Sequence, residues 1–217
     1  MDRRRFLKAV SLSAAPLVAH PEGKLFASSS LPAKVRPSPI LNRSVAIGIQ
    51  TTGRDPLEGH RIVEIAAVEL IDRRITGSAF HSYLNPGHDS DPDSLLMHDL
   101  TRDILSDKPQ FSDIADELAR YIDDDALIVH DARVQCAFLT RELAMAGMEF
   151  PAEPFPNVID TRELAKQLRT WPPSLSTLCT LYKIAPVDRG GQVAFQDALA
   201  VAQVYLALKS AIVKRGS

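Results

Sequence analysis

The pattern of apolar and polar positions divides the chain near residue 44. Beyond that point VAIGIQ (45–50) is a short apolar run that predicts a buried strand. RIVEIAAVELI (61–71) and RITGSAFHSYL (74–84) are longer β-prone runs that meet at Asp72-Arg73, which predicts antiparallel neighbours. The spacing then turns helical, first over Ser94 to Leu100 and next over FSDIADELARYI, whose apolar residues fall at 111, 114, 115, 118 and 122. ALIVH (126–130) predicts a buried strand that enters a helix around CAFLTRELAMAGM, which Gly147 can end. VIDTRELAKQL, SLSTLCTLY and a long helix through DALAVAQVYLALKSAIV complete the chain. Three strands followed by alternating helices and further strand predict an α/β domain over residues 44–217, a central mixed β-sheet flanked by helices.

Residues 1–43 show no such periodicity. DRRRFLK, then AVSLSAAPLVA, then polar residues follow the order of an export signal: a basic region, a mild apolar run too short to span a bilayer, and small residues. Arg3-Arg4-Arg5-Phe6-Leu7-Lys8 resembles the twin-arginine type, which makes residues 1–20 a signal segment and the periplasm the expected address, with the cytoplasm as the alternative. PEGKLFASSSLPAKVRPSPILNR (21–43) has the composition of a linker. Stable membrane insertion is not expected.

Charge sharpens this division. Residues 1–43 hold eight Lys+Arg against two Asp+Glu, a local +6, whereas the remainder holds 17 against 25, or −8. An acidic body lacks the counterion-release contribution that drives non-specific nucleic-acid binding, so any such binding must come from a specific site. Cys136 and Cys179 are too few for a disulfide framework or a cysteine-rich zinc site and read as buried small apolar residues.

From Ser44 to Leu208 a series of ordered segments, TTG, EGHRIVEIAAVELIDRRITGSAFHSYLNP, MHDL, DKPQFSDIADELARYI, LIVH, VIDTRELA, SLSTLC and DALAVAQVYLAL, resembles the DnaQ-like DEDDh 3'-5' exonucleases. The likeness is to the proofreading epsilon subunits of bacterial DNA polymerase III. The resemblance implies a ribonuclease H-like fold, with four carboxylates and a histidine around two divalent cations. Mg²⁺ or Mn²⁺ would there stabilise the attacking and leaving oxygens, and the histidine would take a proton from the attacking water.

Placed on this sequence residue by residue, the family's Asp-x-Glu-Thr-Thr-Gly reads Gly48-Ile49-Gln50-Thr51-Thr52-Gly53, so both carboxylates of the first strand are absent. The aspartate expected after LIVH is Gln135, the expected histidine is Gln192, and only the last aspartate, Asp197, is kept. No catalytic residue is therefore expected to function at these positions, and no metal or other cofactor is expected, Asp197 being the one residual ligand. Restoring the pattern by Gly48→Asp, Gln50→Glu, Gln135→Asp and Gln192→His together is expected to bring metal binding back.

Thr51, Thr52 and Gly53, with His98 of the MHDL segment, are the candidate substrate-binding residues, because backbone N–H groups and hydroxyls can hold a ribose or phosphate without metal. They could equally be retained for the turn alone. Asp55, Glu58, Glu64 and Asp131 are the carboxylates near enough in sequence to act as relocated ligands; His60, His81 and His130 read as structural.

Three functions stand open on this reading. The first is an inactive exonuclease fold that binds a nucleotide or single-stranded nucleic-acid end weakly, or a protein partner. The second is a divergent exonuclease with relocated ligands that uses Mg²⁺ or Mn²⁺, and the third an exported accessory or scaffold protein.

Overall fold

The computed structural model describes residues 42–123, 125–148, 155, 157–170, 173–185 and 191–216. The signal segment and all but the end of the linker lie outside the described residues. The first strand among the described residues begins at Arg43.

A five-stranded sheet forms the centre. Strand β1 (Arg43–Thr51) pairs antiparallel with β2 (Ile62–Ile71), which pairs antiparallel with β3 (Arg74–Tyr83). On its other side β1 runs parallel to β4 (Ala126–Val129), and β4 runs parallel to β5 (Val158–Asp160), so the order is β3-β2-β1-β4-β5. The β2–β3 connection is the expected tight turn: Asp72 and Arg73 both take positive φ, 48° and 60°, the conformation that matches the twist of a two-residue hairpin.

The long apolar helix pattern is realised as α3 (Phe111–Ile122), whose Phe111, Ile114, Ala115, Leu118 and Ile122 are buried. With α4 (Ala132–Met145), α3 covers the sheet face that carries Val45, Ile47, Leu127 and Val129. The opposite face is covered by α7 (Val193–Gly216), with α5 (Thr161–Gln167) and α6 (Leu175–Leu181) packed against that helix.

Three expectations need correction. The helix expected over Ser94–Leu100 is α1 (Pro92–His98), which starts two residues earlier and stops at His98 because Asp99 takes a left-handed conformation; a second short helix, α2 (Arg102–Leu105), capped by Thr101, follows where none was expected. The helix expected near Cys136 begins four residues earlier, at Ala132. The cysteines are only partly buried; both are free thiols, and burial pushes the Cys136 thiol up to about 11. Among the described residues no helix is long and apolar enough to cross a membrane.

Candidate functional site

The parallel pair β1 and β4 sits at the point where the chain order across the sheet reverses, so their carboxyl ends open a natural crevice for chemistry. Side chains alternate along β1, and Ala46, Gly48 and Gln50 fall on the face toward α7. A register shift between Gln50 and Thr51 ends regular pairing where the strand enters the Thr-Thr-Gly turn.

On this face the structure brings Gln50 and Asp197 together. Gln50, itself buried, donates its side-chain N–H to Asp197 Oδ2 at 2.8 Å. Burial pushes the Asp197 carboxyl up to about 6; the Gln50 hydrogen bond lowers it and the nearby charge of Glu64 raises it. A neutral amide therefore stands against the carboxylate where a cation would otherwise neutralise it.

Gly48 has a different role. A Cβ added there would lie 2.2 Å from the Ala194 carbonyl oxygen, 2.7 Å from the Ala198 nitrogen and 3.1 Å from the Asp197 Cβ. Ala194, Ala198 and Ala202, all fully buried, recur every fourth residue along α7, and small side chains on helix and strand let the two backbones meet. The space that a carboxylate side chain at position 48 would need is filled by α7 main chain. The obstacle to Gly48→Asp is therefore backbone rather than a movable side chain.

Glu64 stabilises that helix position. Paired with Gln50 across β1 and β2 and with no exposed surface, it accepts the Ala194 N–H at 3.0 Å through Oε2, and its Oε1 lies 2.8 Å from His81 Nε2. Ala194 is in the first turn of α7, where N–H groups have no partner within the helix and a carboxylate is electrostatically favoured. Sequence reasoning saw Glu64 only as a candidate relocated ligand. The signal that could have found its role is the alanine spacing, which marks the helix face pressed against the sheet.

Gln135 and Gln192 do not join this pair. Gln135 lies in the first turn of α4 and donates its amide to the His130 carbonyl at 3.0 Å, its Oε1 making no hydrogen bond. Gln192 immediately precedes α7, and its carbonyl accepts the Gln196 N–H at 3.0 Å. The end of β4 is organised by Asp160, whose carboxylate accepts the N–H groups of Asp131, Ala132 and Arg162 at 3.1, 2.9 and 2.8 Å. His130 Nδ1 lies 3.0 Å from the Thr161 hydroxyl, and burial lowers its pKa, consistent with the structural role expected of it.

The carboxylates considered as relocated ligands have other partners. Asp131 is ion-paired with Arg162, and Asp55 caps the 3-10 turn Pro56–Glu58 by accepting the Leu57 N–H at 2.8 Å. Glu58 is exposed. Among the described residues no group of three or more His, Cys, Asp or Glu side chains is placed to hold a metal ion. The donor set does not fit a pair of divalent cations, which need several anionic oxygens each.

The Thr-Thr-Gly turn is closed on itself. The Thr51 hydroxyl donates to the Gly53 carbonyl at 2.6 Å. Thr52 is fully buried; its oxygen accepts the Arg61 N–H at 3.0 Å and lies 3.2 and 3.1 Å from His60 Nδ1 and His88 Nε2. Gly53 sits under the His60 ring, atoms of which would be 2.2–2.3 Å from an added Cβ. His98 is buried, its Nδ1 accepts the Leu100 N–H at 3.0 Å, and Nε2 makes no hydrogen bond of good geometry. Burial lowers the His98 pKa, against raising influences from the Thr51 backbone, Glu64 and Asp99. Both threonine hydroxyls are thus engaged, Thr51 within the turn and Thr52 by Arg61, His60 and His88.

Comparison with known proteins places this geometry in a lineage. Residues 45–205 match the family described as Exonuclease. The DNA polymerase III subunit epsilon of Rickettsia felis is 37% identical over 170 residues, covering 76% of this chain and 73% of its own. The subunit of the same name from Salmonella typhimurium is 36% identical over 177 residues, covering 79% and 73%. Among solved structures, the nuclease domain of 3'hExo, a DEDDh family member bound to rAMP, superposes with a TM-score of 0.65 at 14% identity, over 80% of this chain and 94% of that one. That last likeness speaks to the fold alone.

Proposed function

The chain belongs to the exonuclease family, and from that premise we propose that it is a pseudo-exonuclease: a DnaQ-like, ribonuclease H-like domain that has lost phosphodiester hydrolysis and serves as an interaction module. The observation that carries the reading is the contact at Gly48, where the main chain of α7 occupies the room for a first-strand carboxylate. The amide of Gln50 against Asp197 supports it, because the remaining acid is held by a hydrogen-bond donor instead of a metal. Two hard cations cannot be held by Asp197 alone, and Gln192 cannot take up a proton.

The competing reading is an active 3'-5' exonuclease that uses Mg²⁺ or Mn²⁺, which the names of the relatives favour. Against it, Glu64 and Asp131 are committed to the α7 N-terminus and to Arg162. Residual binding of a nucleotide or single-stranded end at Thr51, Thr52, Gly53 and His98 is weak on this account, since both threonine hydroxyls already have partners within the domain. Export through the twin-arginine-like leader is part of the proposal and rests on the sequence of residues 1–20 alone. Replacing Arg3, Arg4 and Arg5 together by Lys should keep the protein inside the cell.

The decisive experiment incubates the purified chain with a 5'-labelled single strand in Mg²⁺ or Mn²⁺, alongside calorimetric titration of each metal. No shortening above background and no metal binding are expected. Metal-dependent degradation that Asp197→Ala abolishes would overturn the proposal.

A further inference from the structure

Three of the most exposed large apolar side chains belong to one corner of the domain. Leu96 and Met97, consecutive on α1, are 88% and 75% exposed, and Leu57 on the 3-10 turn is 81% exposed. The two elements adjoin: Arg54, just before the turn, pairs with Asp93 at 3.5 Å, and Glu58 of the turn lines one depression with Asp91, Pro92 and Asp93. Helix α1 buries His98 and leaves this pair outside, the reverse of what a surface helix does with its apolar residues.

Two depressions flank the same helix. One, of about 310 Å³, is lined by Asp89, Leu95, Leu100, Arg102 and Asp103 among others; the second, of about 330 Å³, by Arg54, Glu58, Asp91 and Asp93. Around them stand seven exposed carboxylates, Asp55, Glu58, Asp99 and Asp103 among them, against two arginines, Arg54 and Arg102. Both arginines already face one of those acids, Arg54 at Asp93 and Arg102 at Asp89, 4.0 Å away in the second case.

We propose that this corner is a docking surface for a basic amphipathic segment of a partner protein, its apolar side chains seated on Leu57, Leu96 and Met97 and its Lys or Arg side chains over the acidic rim. Charge complementarity selects the occupant: the carboxylates steer cations inward, and the apolar centre between two concavities supplies anchor sites. A nucleic-acid strand would bring phosphates against the same acids. A second copy joined symmetrically would face its own acidic rim. The inference rests on the reading of the domain as an interaction module, and it names the kind of partner.

The test pans a displayed library of random peptides on the purified full chain and on a Leu96→Ser/Met97→Ser variant. Both substituted side chains are exposed, so thermal unfolding of the variant should match the parent. Enriched peptides should combine Leu, Phe or Met with Lys or Arg, and bind the variant at least about ten-fold more weakly. Asp99→Asn/Asp103→Asn should weaken them several-fold and flatten their salt dependence. Absence of enrichment, equal binding to the variant, or enrichment of neutral or acidic peptides overturns the proposal. A dimer that the Ser variant dissolves would assign the corner to a second copy, and single-strand DNA binding lost in that variant would assign it to nucleic acid; either overturns it. Failed enrichment without nuclease activity removes the docking surface alone, whereas enrichment together with nuclease activity supports the surface and removes only the claim of inactivity.

Discussion

Val45 and Ile47 project from one face of β1 into a core of large aliphatic and aromatic side chains from α3 and α4, including Phe111, Leu118, Phe138 and Leu139. Ala46, Gly48 and Gln50 project from the other face, where α7 presents alanines, and the buried polar residues Glu64 and Gln50 stand beside Asp197. The first face is closed by side chains interdigitating, the second by backbones meeting. Loss of a methyl on the side-chain-packed face leaves a small void that neighbours can partly fill, whereas a gained atom between two main chains has nowhere to go. At Gly48 the second kind of packing leaves no room for a larger side chain between β1 and α7.

The largest effect should come from breaking that asymmetry at its tightest point. Gly48→Asp forces a Cβ against the Ala194 carbonyl and a charge beside Asp197, and should destabilise by about 3 kcal/mol or more. Ile47→Val, on the adjacent residue but the opposite face, should cost about 1 kcal/mol. Urea unfolding of the two variants compares the faces directly. If Gly48→Asp unfolds within about 1 kcal/mol of the parent and binds Mn²⁺, the helix yields and the two faces are alike.

Glu64→Gln is expected next in size. The substitution keeps the volume but replaces a carboxylate that accepts the Ala194 N–H and pairs with His81, and should cost about 2 kcal/mol. The loss should concentrate in α7, so amide exchange in the helix's first turns would accelerate more than in α3. Uniform acceleration across both helices would show that Glu64 supports the sheet generally and not the position of α7.

How far the sequence could be read follows the same division. The face toward α3 and α4 was legible because strand alternation and the helical spacing at 111, 114, 115, 118 and 122 report side-chain burial directly. The Asp72-Arg73 hairpin was legible because two β-prone runs abut there. At the site, the absence of carboxylates at 48, 50 and 135 could be read from the residue identities, but what replaced them could not. Gly48 reads as a missing ligand, and only three-dimensional structure turns it into a point of close approach. Glu64 likewise sits in a run of strand residues with nothing in its neighbourhood to tell that its partner is an N–H 130 positions away. The stop of α1 at His98 was missed because a left-handed aspartate is less common than glycine as a stop signal.

The smallest expected effect is also the one with opposite sign. On the proposed reading no cation holds Asp197, and Asp197→Asn should then make the protein more stable. Burial pushes the folded pKa of Asp197 up to about 6, above its ordinary value of 3.8. The folded state therefore holds its proton more tightly than the unfolded chain, and stability falls as pH rises between those values. Below about pH 3 the group is protonated in both states and carries no penalty, whereas above about pH 6 the penalty is nearly fully present. Asparagine removes the charge, worth about 3 kcal/mol for a shift of this size, but its amide oxygen is a weaker acceptor for the Gln50 N–H, so the variant should gain about 1–2 kcal/mol at pH 8 and nothing at pH 3. Thermal or urea unfolding at the two pH values measures the difference. A gain independent of pH would mean that packing and not charge is responsible. A loss of stability at pH 8 would mean that the Asp197 carboxylate is satisfied in a way that Gln50 alone does not provide, and the α7 face would then have to be credited with a cation-like partner.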